Sequence, residues 1–221
     1  MIFLANAVGA LQYGWDYQSL LFWTKACKLL CGRDHIVKVG YEVDFAPGFD
    51  DVVVFYDRTI ILPEGERADA QFYQLKNHMT MDGCITAAKL MDPRFINAST
   101  FSLLQKLKEA RARILGNPEL GVTSPLFRFY TSWDVDPHDI LRKLKSGNTG
   151  FLKAKELFEG GPRSEMGKLR AQFQEHLEIE SEDDLKDLLE RLGFVNDNQD
   201  SLADRLSDNL FHAGLCSLDI S

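Results

Sequence analysis

The sequence predicts an α/β fold with an appended C-terminal helical segment. Three observations predict it: β-forming runs between residues 37 and 76, a change to helical spacing at residue 99, and Leu-spaced stripes after residue 180. At 221 residues the chain is one domain, or a domain with an appendage. Its 45% apolar and 26% charged content excludes disordered and collagen-like classes. A chain this long buries roughly 70% of the surface it exposes when unfolded, so its core needs neither metal nor disulfide staples.

The first element is a helix over residues 15–31. Leu20, Leu21, Cys27, Leu30 and Cys31 fall at helical spacing and Gly32 is the stop. A period-2 run follows, with Val37, Val39, Tyr41, Val43 and Phe45 on one face and Lys38, Gly40, Glu42 and Asp44 on the other. Pro47-Gly48 breaks it. After Asp50-Asp51, residues 52–56 (VVVFY) are rich enough in β-formers for a central strand. Pro63-Glu64-Gly65-Glu66 is a turn, and Ala70 to Lys76 a third strand, antiparallel to the second.

Phe101, Leu104, Leu107, Ile114 and Leu115 then line one side of a helix capped by Ser99 or Thr100 and stopped by Gly116-Asn117-Pro118. Leu126 to Ser132 reads as a strand, and Asp136-Pro137 starts a helix ending near Gly147. The remainder reads as helical. Ser181-x-x-Asp184 and Ser201-x-x-Asp204 resemble capping boxes that open stripes of Leu185, Leu188, Leu189 and Leu192, and of Leu202, Leu206 and Leu210. Trp15 and Trp23 are expected in the core. Residues 1–160 form the core in this reading, and residues 161–221 an acidic helical segment packed on the core or on a partner.

A net charge of −8 argues at first against nucleic acid, but the charge is unevenly placed. Residues 1–174 hold 22 basic and 20 acidic side chains, a net of +2, whereas residues 175–221 hold 3 and 13, a net of −10. Such asymmetry fits a polyanion partner or an acidic interaction tail as well as a solvated helix surface. No Lys or Arg precedes Lys25 and no run of about 18 apolar residues exists, so neither a secretory signal nor a membrane span is expected. Cys27, Cys31, Cys84 and Cys216 lack zinc-knuckle spacing and read as thiols in a reduced cytoplasm.

The residues that could carry chemistry are Asp50-Asp51 and Gln74-Leu75-Lys76. Strand alternation puts Gln74 and Lys76 on one face. If the second and third strands pair antiparallel, Asp51 lies beside both, across 23 residues of sequence to Gln74. A carboxylate, an amide oxygen and an ammonium suit phosphodiester hydrolysis. Mg²⁺ takes oxygen ligands and lowers the pKa of bound water, while a lysine positions or deprotonates that water.

The pattern Glu42, Phe49-Asp50-Asp51-Val52 and Gln74-x-Lys76 resembles the PD-(D/E)xK nuclease superfamily, in the variant with Gln for the acid. More narrowly it resembles the double-stranded DNA endonuclease domain of CD-NTase-associated (CBASS-type) anti-phage effectors and related defence nucleases. Gly14-Trp15-Asp16-Tyr17-Gln18, Phe129-Tyr130-Thr131-Ser132 and the helices from Leu185 to Leu210 agree with that family. The resemblance implies a restriction-endonuclease-like mixed sheet flanked by helices and a Mg²⁺ or Mn²⁺ cofactor. It implies Asp51 as principal metal ligand, with Asp50 the second choice, Gln74 as ligand or water positioner and Lys76 as catalytic lysine. Glu42 is a second acid and metal ligand in that scheme, and Gln18 supports the site.

Lys106, Lys108, Arg111 and Arg113, and the stretch from Arg142 through Lys143 and Lys145, read either as contacts to the DNA backbone or as solvated faces. His78 is expected at the surface. The function this implies is cleavage of double-stranded DNA with low sequence specificity in anti-phage defence, controlled by a sensor or motor domain or protein, or by homo-oligomerisation. The alternative is a catalytically inactive nuclease-fold module that works by protein interaction.

Overall fold

A computed structural model of the chain describes residues 2–62, 65–76, 83–147 and 150–214, of which residues 2–13 as backbone only. His78, Cys216 and the Pro63-Glu64 half of the expected turn lie outside the described residues. The elements run α1 (Ile2–Leu30), β1 (Ile36–Tyr41), β2 (Val52–Ile61), β3 (Arg67–Lys76), β4 (Cys84–Ile85), α2 (Ala87–Leu90) and α3 (Leu103–Leu115). They continue with β5 (Pro125–Thr131), β6 (Asp134–Val135), α4 (Leu141–Leu144), α5 (Ala154–Phe158), α6 (Glu165–Leu177), α7 (Glu182–Glu190), β7 (Leu192–Asn196) and α8 (Gln199–His212).

The main sheet has the order β1-β2-β3-β5-β7. β1, β2 and β3 pair antiparallel, while β3–β5 and β5–β7 pair parallel. β3 therefore joins a hairpin to a crossover-built half. This mixed sheet with helices on both faces is the expected class, and it fits the restriction-endonuclease-like arrangement.

The two faces differ in composition. On the first, Phe49, Phe72, Phe127, Phe129 and Phe194 pack with Val53 under the apolar sides of α3, α6 and α7. On the second, the buried rings are Tyr17, Tyr73 and Tyr130, packed with Val52, Val54 and Leu75 under α1 and α8. Strand alternation sorts them, since even positions of β3 point one way and odd positions the other.

Several expectations need correction. The first helix starts at Ile2, well before residue 15. Trp15 and Trp23 are 61% and 55% exposed, on the side of α1 turned away from the sheet. α3 is capped not by Ser99 or Thr100 but by Ser102, in a full capping box with Gln105. Phe101 and Leu115 are exposed, and Leu103 and Ala110 take their place on the buried face. The helix expected from Asp136 is the single turn α4.

The region after residue 160 is not all helical. Leu192-Gly-Phe-Val-Asn196 is β7, a parallel strand of the main sheet, so Leu192 belongs to the sheet core and not to a helical stripe. Ser181 does cap α7, but α8 is capped by Asn198, whose side chain accepts from the Ser201 amide.

The period-2 run from Val37 to Phe45 does not stay on one face. A register shift lies between Ile36 and Lys38, and Glu42 takes a left-handed φ of 45°. Val39 and Tyr41 consequently pack on the second face, and Val43 and Phe45 on the first. At the opposite edge the chain at Gly150 closes against β7. The Phe194 amide donates to the Gly150 carbonyl at 2.9 Å, and Phe151 bridges Gly193. Gly150 has φ +70°, and a Cβ there would stand 1.9 Å from the Phe194 oxygen, so only glycine fits.

Candidate active site

The β2–β3 hairpin builds the site. Val52 pairs with Tyr73 and Val53 with Phe72, which puts Asp51 opposite Gln74 at the end of the two strands. The Gln74 amide nitrogen donates to Asp51 Oδ2 at 2.5 Å, and the Leu75 backbone N–H donates to the same oxygen at 2.5 Å. Both Asp51 and Gln74 are buried. Lys76 follows on the same face, half-buried at the strand end.

Burial pushes the Asp51 carboxyl up to about 6. The Leu75 amide pulls against that rise, as do the Lys76 ammonium and the Gln74 amide, while the Asp50 carboxylate adds to it. Asp51 is thus a buried acid short of positive charge, with Lys76 as the cation acting on it. Asp50 is half-buried, and its Oδ1 accepts from the Gly48 amide at 3.1 Å. That bond shapes the turn leading into β2.

Gly48 itself has φ +81° and lies against the side-chain stem of Lys106 on α3, where a Cβ would clash. Lys106 is thereby fixed beside the turn that delivers Asp50 and Asp51.

The other expected residues are placed differently. Glu42 has its backbone N–H on the Asp51 carbonyl at 3.1 Å, but its side chain is exposed. Gln18 is on α1, on the second face, where its Oε1 accepts from the Tyr41 hydroxyl at 3.5 Å. Lys108 donates to the Leu177 carbonyl at 2.5 Å, holding the C-terminus of α6. Arg111 pairs with Asp187 of α7. Arg113 pairs with Glu109, Lys143 with Glu165 at 3.4 Å, and Arg142 and Lys145 both with Asp134, at 3.6 and 2.6 Å. Much of the basic character expected to face a partner is used to dock α6 and α7 on α3 and to hold α4.

Sequence reasoning passed over Thr131. It is fully buried at the end of β5, in register with Lys76 on the site's face. A polar residue ending an apolar strand was the available signal.

The donors that could hold a metal here are oxygens: the Asp51 carboxylate, Asp50, and the Gln74 carbonyl left over once its nitrogen has bonded Asp51. That set suits a hard cation such as Mg²⁺ and not a thiolate- or imidazole-bound metal. Among the described residues no three His, Cys, Asp or Glu side chains are grouped as a ready-made cage. Water or phosphate oxygens would complete the shell, as Mg²⁺ accepts. The described residues also include no helix long and apolar enough to cross a membrane.

Fold and site together define a restriction-endonuclease-like α/β protein with a buried carboxylate, an amide and a lysine at one end of its central hairpin. No protein-family model matches the chain. Its sequence is similar to that of CD-NTase-associated protein 4 from Enterobacter hormaechei subsp. hoffmannii (strain UCI 50), 32% identical over 188 residues. The match covers 84% of this chain and 36% of that protein, so the chain spans about a third of the curated relative it resembles. This likeness supports kinship with CD-NTase-associated proteins.

Proposed function

We propose that this chain is a Mg²⁺- or Mn²⁺-dependent endonuclease that hydrolyses phosphodiester bonds of double-stranded DNA with little sequence preference, serving anti-phage defence in the cytoplasm. The observation that carries it is the meeting of Asp51, Gln74 and Lys76 at one strand end. The likeness to a CD-NTase-associated protein supports the defence role. Control by a sensor or motor domain, a separate protein or a second copy belongs to the same reading.

Each residue has a task in this reaction. The Asp51 carboxylate holds the cation, and Gln74 and the Leu75 amide hold the carboxylate in place. The cation, when bound, neutralises charge on the phosphate and acidifies water. Lys76 orients the attacking water and stabilises the negative charge that develops on the phosphate oxygens. Water oxygen bonds to phosphorus, the P–O bond to the leaving sugar oxygen breaks, and that oxygen takes a proton. Lys106, anchored beside the Gly48 turn, contacts the neighbouring phosphate. Exposed Arg113, Arg142 and Lys143 extend the backbone contact.

The test is plasmid cleavage by the full chain with Mg²⁺ or Mn²⁺. Asp51→Ala and Lys76→Ala are each expected to lower the rate by about 100-fold or more. A wild type that cuts no better than these variants, with partner present, sinks the enzymatic reading. RNA of equal length, substituted for DNA, tests the choice of nucleic acid. Such a failure would favour a second reading, an inactive nuclease-fold interaction module, which the amide in place of an acid at Gln74 supports.

A further inference from the structure

A cleft of about 910 Å³ opens on the second face of the sheet, between α1, α8 and the strands. Alternation separates it from Asp51, Gln74 and Lys76, which lie on the first face. Its floor is polar where a sheet core is normally apolar: Gln71, Tyr73, Arg128 and Tyr130 are all buried and all line it. Burial raises the Tyr56 and Tyr130 hydroxyls above their ordinary range, so both stay protonated and able to donate.

The lining is cationic in a protein of net charge −8. Five Lys or Arg side chains line the cleft against two Asp. They come from three directions: Lys25 and Lys28 from α1, Arg128 from β5 and Arg205 from α8, with Lys145 at the rim. Lys28 is paired with Asp34 at 2.7 Å, Arg205 with Asp197, and Lys145 with Asp134. Lys25 and Arg128 are held another way. The Lys25 ammonium stands 5.2 Å from the centroid of the Tyr73 ring, and the Arg128 guanidinium 3.8 Å from that of Phe151. A ring orients a cation without cancelling its charge. A concave site lined by one sign of charge concentrates ligands of the other sign.

We infer that this cleft binds a small polyphosphate-bearing molecule. Several cations converging from separate elements match a ligand with several anionic oxygens along a chain, and Arg offers phosphate a two-pronged donor. The volume is that of a small-molecule site. Tyrosine rings and the amides of Gln71, Asn196 and Asn209 add donors and flat surfaces for a nucleoside at one end of the phosphates. The inference does not depend on the nuclease reading.

Calorimetric titration of the full chain in EDTA with ATP, inorganic triphosphate and citrate tests it. One molecule of ATP or triphosphate per chain is expected to bind, and citrate much more weakly. Lys25→Gln, on the half-exposed side of α1, should weaken binding about tenfold. Arg128→Lys, which keeps the charge but loses the fork, should also weaken it. Lys76→Ala should leave it unchanged. ATP binding without triphosphate binding assigns the contacts to the nucleoside as well as the phosphates; equal binding assigns them to the phosphates alone. The inference is overturned if neither phosphate compound binds, if citrate binds equally well, if folded Lys25→Gln and Arg128→Lys both bind as wild type, or if Lys76→Ala abolishes binding.

Discussion

The two faces of the sheet bury aromatic rings by opposite chemistry. The first is sealed with phenylalanines: Phe72 stacks on Phe127 with centroids 5.5 Å apart, and Phe49 meets Phe127 edge-on at 5.1 Å. The second uses tyrosines whose hydroxyls reach partners. Tyr17 donates to the Asp197 carbonyl at 2.9 Å, Tyr130 to the Asp197 carboxylate, and Tyr73 to Gln71. A hydroxyl on the first face would be left without a partner, at a cost of about 1–3 kcal/mol. A phenyl on the second would leave the polar floor of the cleft unsatisfied. The difference teaches that the sheet carries a dry, rigid side and a hydrogen-bonded side. The candidate active site sits where the dry side ends.

Phe127→Ala should give the largest effect that separates the faces, a loss of about 3–5 kcal/mol in denaturant unfolding. A loss below about 1 kcal/mol would mean that the first face is not tightly packed.

The next effect concerns the one acid at the margin of the dry side. Asp51 titrates near 6 in the fold, above its ordinary value of 3.8. The folded state therefore holds a proton there that the unfolded chain has released. The stabilising effect is complete below about pH 4 and is lost as pH rises through 6. In metal-free buffer Asp51→Asn should consequently gain on wild type by about 2 kcal/mol between pH 4 and pH 8, read from melting curves. Mg²⁺ should then raise the melting temperature of wild type and not of the variant. A pH-independent difference would show that the carboxyl is not desolvated.

The smallest effect is on the second face. Tyr130→Phe removes one donor while Asp197 keeps Arg205, and should cost about 1 kcal/mol. A cost matching that of Phe127→Ala would erase the contrast between the faces.

The hairpin half of the site was legible because its information is local. Strong β-forming runs 52–56 and 70–76 fix the antiparallel pairing, and alternation then delivers Asp51 to Gln74 and Lys76. What escaped depends on tertiary context. β7 is five residues directly after a Leu-spaced helix, and its Leu192 continues that spacing, so only the empty position beside β5 identifies it as a strand. The pocketed face was hidden for a similar reason. Arg128 sits inside an otherwise apolar run, and nothing local tells whether such a residue points to solvent or, as here, lines a cleft. Glu42 kept perfect alternation in sequence, yet its backbone turns left-handed and its side chain leaves for solvent.

The edges of the sheet have a consequence for assembly. At β1 a register shift, Lys38 lying over Phe55 and the turn at Glu42 interrupt the row of backbone groups. At β7 the Gly150–Leu152 segment already occupies the outer side. Such features keep sheets from growing edge to edge. A second copy or a separate protein that docks on this domain therefore meets helix surfaces and side chains, not an open ladder that a further strand could extend.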